Sequence, residues 1–147
     1  MQNLVFGTQA WLDAVKVAIN ASPTYREAAR HWEGDFWFIV EPDRDPSQTA
    51  QPTQPIWCYL DLWHGECRVA QHAQDEHAHT PEFRISGSLR NWRRVLQREV
   101  DPIRALMTHS LKLKGNVAKI MRNVRAAQEL VLCVASVPTN FEVDMVG

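Results

Sequence analysis

The sequence predicts an α+β fold, a five-stranded mixed and mostly antiparallel sheet with helices packed on one face. Three observations carry this expectation. Four strand-like runs occupy the middle of the chain, at 36–40, 56–63, 67–71 and 81–86. Stretches with apolar residues at helical spacing flank them, each apolar on one face only. Last, an alternating strand from Ser110 to Lys114 runs through Gly115-Asn116 into the longest amphipathic stretch, Val117 to Val134. Laying every helical stripe on one side of the sheet buries all of these apolar faces at once.

The elements follow in order. Thr8 is placed to cap a helix in which Trp11, Leu12, Val15, Ala18 and Ile19 share a face and which ends near Ala21. Ser22-Pro23 restarts a helix, Thr24 to about Trp32, with Tyr25, Ala28, Ala29 and Trp32 inward. After Gly34-Asp35, the run Phe36–Val40 is apolar without interruption, which predicts a strand covered on both faces. The Pro-, Asp- and Gln-rich stretch from Glu41 to Pro55 reads as a long loop. Ile56–Trp63 alternates with both sides largely apolar, and His64-Gly65-Glu66 turns it back into Cys67–Gln71, a hairpin.

A polar stretch, His72 to Thr80, holds His72, His77 and His79 beside Asp75 and Glu76. Their spacing matches no metal signature, and a solvated loop is expected, with no metal and no cofactor. Pro81–Ser86 is a strand with Phe83 and Ile85 inward. Ser88 then caps a helix whose inner face is Leu89, Trp92, Val95 and Leu96. Asp101-Pro102 starts a short helix carrying Ile103, Leu106 and Met107 inward. In the next strand Leu111 and Leu113 face one way and Lys112 and Lys114 the other. Gly115 permits a tight exit, Asn116 caps, and the stripe Val117, Ile120, Met121, Val124, Ala127, Leu130, Val131, Val134 follows. Pro138 ends the helix, and Phe141 is the only large anchor of the tail.

Composition bounds the function. One domain spanning 1–147 is expected from the length, with ample residues for a core. A net charge of -1 argues against a nucleic-acid binder, and the face Arg90, Arg93, Arg94, Arg98 reads as a solvated helix face. Neither a signal-peptide pattern nor a membrane-spanning apolar run is present, and three unpatterned cysteines read as reduced thiols, so a cytoplasmic protein is expected. Six tryptophans supply more apolar area than a minimal core demands, either as filling or as the lining of a cavity.

The run Leu111-Lys112-Leu113-Lys114-Gly115-Asn116, preceded by Ala105-Leu106-Met107, resembles the signature of the sterol carrier protein type-two family. Tyr59-Leu60-Asp61-Leu62 with Gly65 resembles that family's central hairpin, and Phe83-Arg84-Ile85-Ser86-Gly87 before Trp92 its next strand and helix. Trp11, Asn20, Tyr25 and Trp32 suit a divergent bacterial-type member. His109-Ser110 departs from the Gly-Lys that the family often carries there. The resemblance implies an apolar tunnel between sheet and helices for a fatty acid, sterol or other lipid, and no catalytic group.

On that footing the expected lining is Leu111, Leu113, Ile120, Met121 and Val124, with Leu106 and Met107 closing an end and Trp92 and Trp37 as further walls. Lys112, Lys114, Lys119 and Arg122 form the expected rim for an anionic head group. A homodimeric accessory module that presents a lipid to a partner enzyme is the alternative, with Trp57 and Trp63 as contact residues. An enzyme is not expected: G-x-S-x-G, H-E-x-x-H and phosphate-loop motifs are absent, and the nearest pair, His64 and Cys67, flanks a tight turn.

Overall fold

In the computed structural model, which describes residues 3–42 and 54–141, a five-stranded sheet carries a layer of helices on one face. The elements are β1 (Leu4–Val5), α1 (Gln9–Asn20), α2 (Pro23–Ala28), β2 (Glu33–Glu41), β3 (Ile56–Trp63), β4 (Glu66–Ala73) and β5 (Phe83–Ser88). Then come α3 (Leu89–Leu96), α4 (Pro102–Met107), β6 (Lys112–Lys114), α5 (Val117–Met121), α6 (Val124–Ala135) and β7 (Thr139–Asn140). The sheet order is β4-β3-β2-β5-β6, with β2 and β5 parallel and the other pairs antiparallel. The expected mixed sheet with helices on one side is the observed one.

Local chemistry sets the boundaries as read from the sequence. Thr8, Ser22, Ser88, Asp101 and Asn116 each accept a backbone N–H at a helix start, and Pro23 and Pro102 occupy the first helical position. The β3–β4 hairpin turns through His64 (φ 51°) and Gly65 (φ 81°), the paired left-handed conformations of a two-residue turn. The edge strand β4 is held from α1: Asn20 accepts from the Cys67 N–H at 2.7 Å and donates to the Cys67 carbonyl at 3.0 Å. Gln9 in the same way accepts from the His72 N–H and donates to the Ala70 carbonyl. Two amides thus satisfy groups that an open edge would leave unpaired.

Several boundaries differ from expectation. The run Val117–Val134 is two helices, broken at Arg122 and Asn123, where Asn123 has φ -127° and ψ 38°. The Asn123 side chain donates to the Lys119 carbonyl at 2.8 Å, a local bond that competes with helix continuation. The second helix stops at Ala28, short of Trp32. The last sheet strand starts at Lys112, because the Leu111 N–H is spent on the Ala105 carbonyl at 3.1 Å. The two ends also pair, β1 with β7, a contact of two short segments that no periodicity announces. Most of the expected loop after Glu41 lies outside the described residues.

His109 takes φ 63°, the left-handed conformation that glycine adopts most easily. The backbone entering β6 therefore keeps a glycine-like geometry although the residue is histidine.

Each face of the sheet has its own apolar cluster. The helix face joins Phe36, Val40, Leu60, Leu62, Phe83 and Ile85 to the buried stripes of α1, α3 and α6. On the opposite face Trp37, fully buried, packs with Ile39, Tyr59, Ala73 and Trp57. The histidine-bearing segment after β4 crosses that face on its way to β5. His79 lies flat on Tyr59, with ring centroids 3.7 Å apart at 5°, and meets Trp37 edge-on. Tyr59 in turn donates to Asp35 at 2.7 Å. His72 instead bonds the Gly7 carbonyl on the helix side, so the histidines do not converge. Among the described residues no group of His, Cys, Asp and Glu is arranged to hold a metal.

All three cysteines are buried and unpaired. Burial raises their thiols, and Cys58 and Cys67 are each pushed up to about 12 from an ordinary 9.0. The folded state holds those protons above pH 9 while the unfolded chain releases them, so stability falls as pH rises through that window. Cys58 and Cys67 each cost about 1.4 kcal/mol per pH unit above 9. Urea midpoints measured between pH 7 and 10.5 should drop steeply above pH 9. A flat profile would show that the thiols are not held protonated.

Candidate functional site

The helix layer does not close fully on the sheet. A cavity of about 80 Å³ lies under α6, floored by Phe36, Phe38, Leu62 and Ile85 of the sheet. Tyr25 and Trp32 wall one side, Trp92, Val95 and Leu111 another, and Ile120, Asn123, Ala126, Ala127, Leu130 and Val131 roof it. The half-buried Pro102, Ile103 and Leu106 of α4 complete its lining. A second cavity of about 60 Å³ continues beyond it, between Phe6, Trp11, Leu12 and Val15 at the N-terminal end and Val40, Cys58, Leu60, Leu96 and Val134.

Both are lined by carbon. Among the described residues no charged side chain reaches either wall. The indole N–H groups of the lining tryptophans are spent on the framework: Trp92 donates to the Ile39 carbonyl at 2.9 Å, Trp32 to the Gly34 carbonyl at 3.1 Å and Trp11 to the Thr139 hydroxyl at 2.9 Å. Asn123, the one amide in the lining, is likewise turned to the Lys119 carbonyl. Burial raises the Cys58 thiol and the Tyr25 phenol further above ordinary values that already lie above neutrality. What remains is a surface that can remove apolar matter from water.

Of the residues singled out from the sequence, the structure brings Leu106, Leu111, Ile120 and Trp92 together around the first cavity. Met107, 70% exposed at the end of α4, does not reach it. Leu113 packs against the core cluster from the short strand β6 without lining the cavity. Met121 and Val124, both half-buried, flank the break between α5 and α6. Asn123 and Ala126 stand in the roof in their place, beside Ala127, Leu130 and Val131 of the expected stripe. Trp37 is on the other face of the sheet altogether.

The expected cationic rim is placed elsewhere. Lys112 and Lys114 project from β6 to the helix-free face, where they line a groove with Ile39, Trp57, Arg84 and Ser86. Lys119 is engaged: its Nζ donates to the Glu33 carbonyl at 2.5 Å and to the Glu82 carboxylate at 2.9 and 3.1 Å, and sits over the Trp32 ring at 4.9 Å. Arg122 is exposed beside the α5–α6 break. Sequence reasoning missed Phe36, Phe38, Ala126 and Ala127 as lining. The aromatics read as strand core, and Ala127 entered only as a member of the helix stripe, whereas small residues are what leave the space.

The family model described as the SCP-2 sterol transfer family matches residues 15–128. The crystal structure of a sterol carrier protein 2 superposes with a TM-score of 0.78 at 36% identity, over 90% of this chain and 98% of that one. The solution structure of a conserved hypothetical protein from Thermus thermophilus, described as a candidate sterol carrier protein, gives 0.80 at 35% identity, over 95% and 94%. Sterol carrier protein 2 from Yarrowia lipolytica, in its apo form, shares the fold at 16% identity and a TM-score of 0.57, over 92% and 99%. Among curated proteins no match is found.

Proposed function

The chain belongs to the SCP-2 sterol transfer family, a family of lipid or sterol binding and transfer domains, and on that premise we propose that it binds a lipid by its apolar tail in the cavity under α6. One observation carries the reading: a cavity between sheet and helices whose walls present carbon and no charge. The energy available is that of removing the tail from water, about 25 cal/mol per Å² before the cost of association. The same walls support carriage without catalysis, since the phenol and thiol that line them both stay protonated and neutral at pH 7.

The size of the space bears on which lipid. Cavities of about 80 and 60 Å³ are small beside the roughly 300–1,000 Å³ typical of sites for compact drug-sized ligands. A flexible acyl chain can thread such spaces with side-chain adjustment, whereas a rigid fused-ring sterol requires the helices to part. The preferred ligand is therefore a single acyl chain. Native mass spectrometry of the purified protein with laurate, palmitate and cholesterol offered in turn should show one fatty acid bound per chain and no sterol. Uptake of cholesterol without fatty acid would reverse the preference. A clean unliganded mass with all three would end the carrier reading.

A further inference from the structure

The two cavities share four wall residues, Phe38, Trp92, Leu130 and Val131. Two elements on opposite walls report the same linear order. Along β2, Phe36 lines the first cavity, Phe38 both and Val40 the second. Along α6, Asn123, Ala126 and Ala127 line the first, Leu130 and Val131 both, and Val134 the second. The chambers therefore lie end to end and meet at these four residues. From Asn123 to Leu130 the outer chamber runs about 10 Å along the helix, and the inner one adds about 6 Å to Val134.

The four shared residues are not equivalent. Trp92 is fixed by its bond to the Ile39 carbonyl, and Leu130 is buried in the core cluster. Phe38 and Val131 are only partly buried, although one is central in the sheet and the other sits on the helix above it. Phe38 stacks on Phe36 at 5.1 Å and meets Trp92 edge-on at 5.7 Å.

We propose that Phe38 and Val131 form a gate between two in-line chambers and thereby set the length of acyl chain this protein holds. The proposal rests on the acyl-chain reading above and adds a specificity-determining pair to it. A short tail fills the outer chamber and stops at the gate; a longer one must displace it to reach Val15 and Val134. Removing bulk at the gate joins the chambers, and each further methylene taken out of water then raises affinity about fourfold.

The test is competitive displacement of a fluorescent fatty acid by the saturated series from octanoate to stearate, on the wild type and on Val131→Ala, Phe38→Leu and Val131→Phe. Far-ultraviolet circular dichroism of each variant checks its folding. The palmitate-to-laurate affinity ratio should rise at least tenfold in Val131→Ala and in Phe38→Leu, and fall in Val131→Phe. If the wild type binds fatty acids but all folded variants keep its ratio within twofold, the gate is refuted and the carrier reading stands. If the wild type binds no fatty acid, both fall together.

Discussion

Ala126→Leu should gain thermal stability while losing acyl-chain binding. Ala126 is buried on α6 at the roof of the outer chamber, among Phe36, Trp92, Ile120 and Leu130. A leucine there places three more carbons into space that is otherwise open. In a packed core such an insertion costs about 1–3 kcal/mol through forced rotamers. Here the void removes that cost, and the new contacts contribute about 1 kcal/mol. For a chain of this size that is about 3 °C in Tm. The same carbons occupy the volume of the ligand tail, so affinity for laurate should fall at least tenfold. Calorimetric melting and ligand titration on one preparation give both signs. Ordinary overpacking lowers stability and binding together, so it cannot imitate the expected pair. Unchanged laurate affinity in a folded Ala126→Leu protein would place the ligand outside this chamber.

Gly115→Ala should be among the most damaging single-methyl changes in the protein. Gly115 joins β6 to α5 at φ +134°, a backbone conformation that L side chains rarely adopt. A Cβ at that point would lie 2.5 Å from Cδ1 of Phe83 and 3.1 Å from the Glu82 carbonyl oxygen. Phe83 cannot yield easily: it is fully buried, stacked on Phe36 at 5.1 Å and packed at a tilt against Trp32 at 5.6 Å. Backbone strain and steric conflict together should cost about 3–4 kcal/mol, or about 10 °C in Tm. Trp32 and Phe36 belong to the cavity wall, so ligand affinity should also weaken. Chemical denaturation of the purified variant is the direct measure. A loss below about 1 kcal/mol would mean that β6 and α5 can shift to absorb the methyl.

How much of this was legible beforehand can be argued from single residues. The caps Thr8, Ser22, Ser88, Asp101 and Asn116 were readable because a capping side chain bonds a backbone N–H two or three residues away. The two-sided character of β2 was readable because a continuous apolar run leaves no polar face for water. The β3–β4 hairpin was readable from the tight turn His64-Gly65-Glu66 after the alternating run Ile56–Trp63. In the site, Leu106, Leu111, Ile120 and Trp92 were within reach because inward-facing positions on their elements follow from periodicity.

The misplaced residues share one cause. Periodicity gives the face of an isolated element, and it assumes that the element continues. At the helix break, Asn123 and Ala126 stand in the roof where Met121 and Val124 were expected. The strand lysines were assigned correctly to the face opposite Leu111, but which face of the sheet meets solvent depends on where the helices pack. Lys119 found Glu82 across a sequence separation of 37, a pairing that no local pattern contains.

The sequence by itself determined the strand and helix inventory, the α+β class and the apolar, charge-poor character of the interior, because those follow from interactions a few residues long. Only the tertiary structure decided that the layers fail to close completely, that two cavities stand in line beneath α6, and that Phe38 and Val131 line both. A void is a property of residues distant in the chain whose volumes fall short of the space between their backbones, and no one of those residues carries a local sign of it.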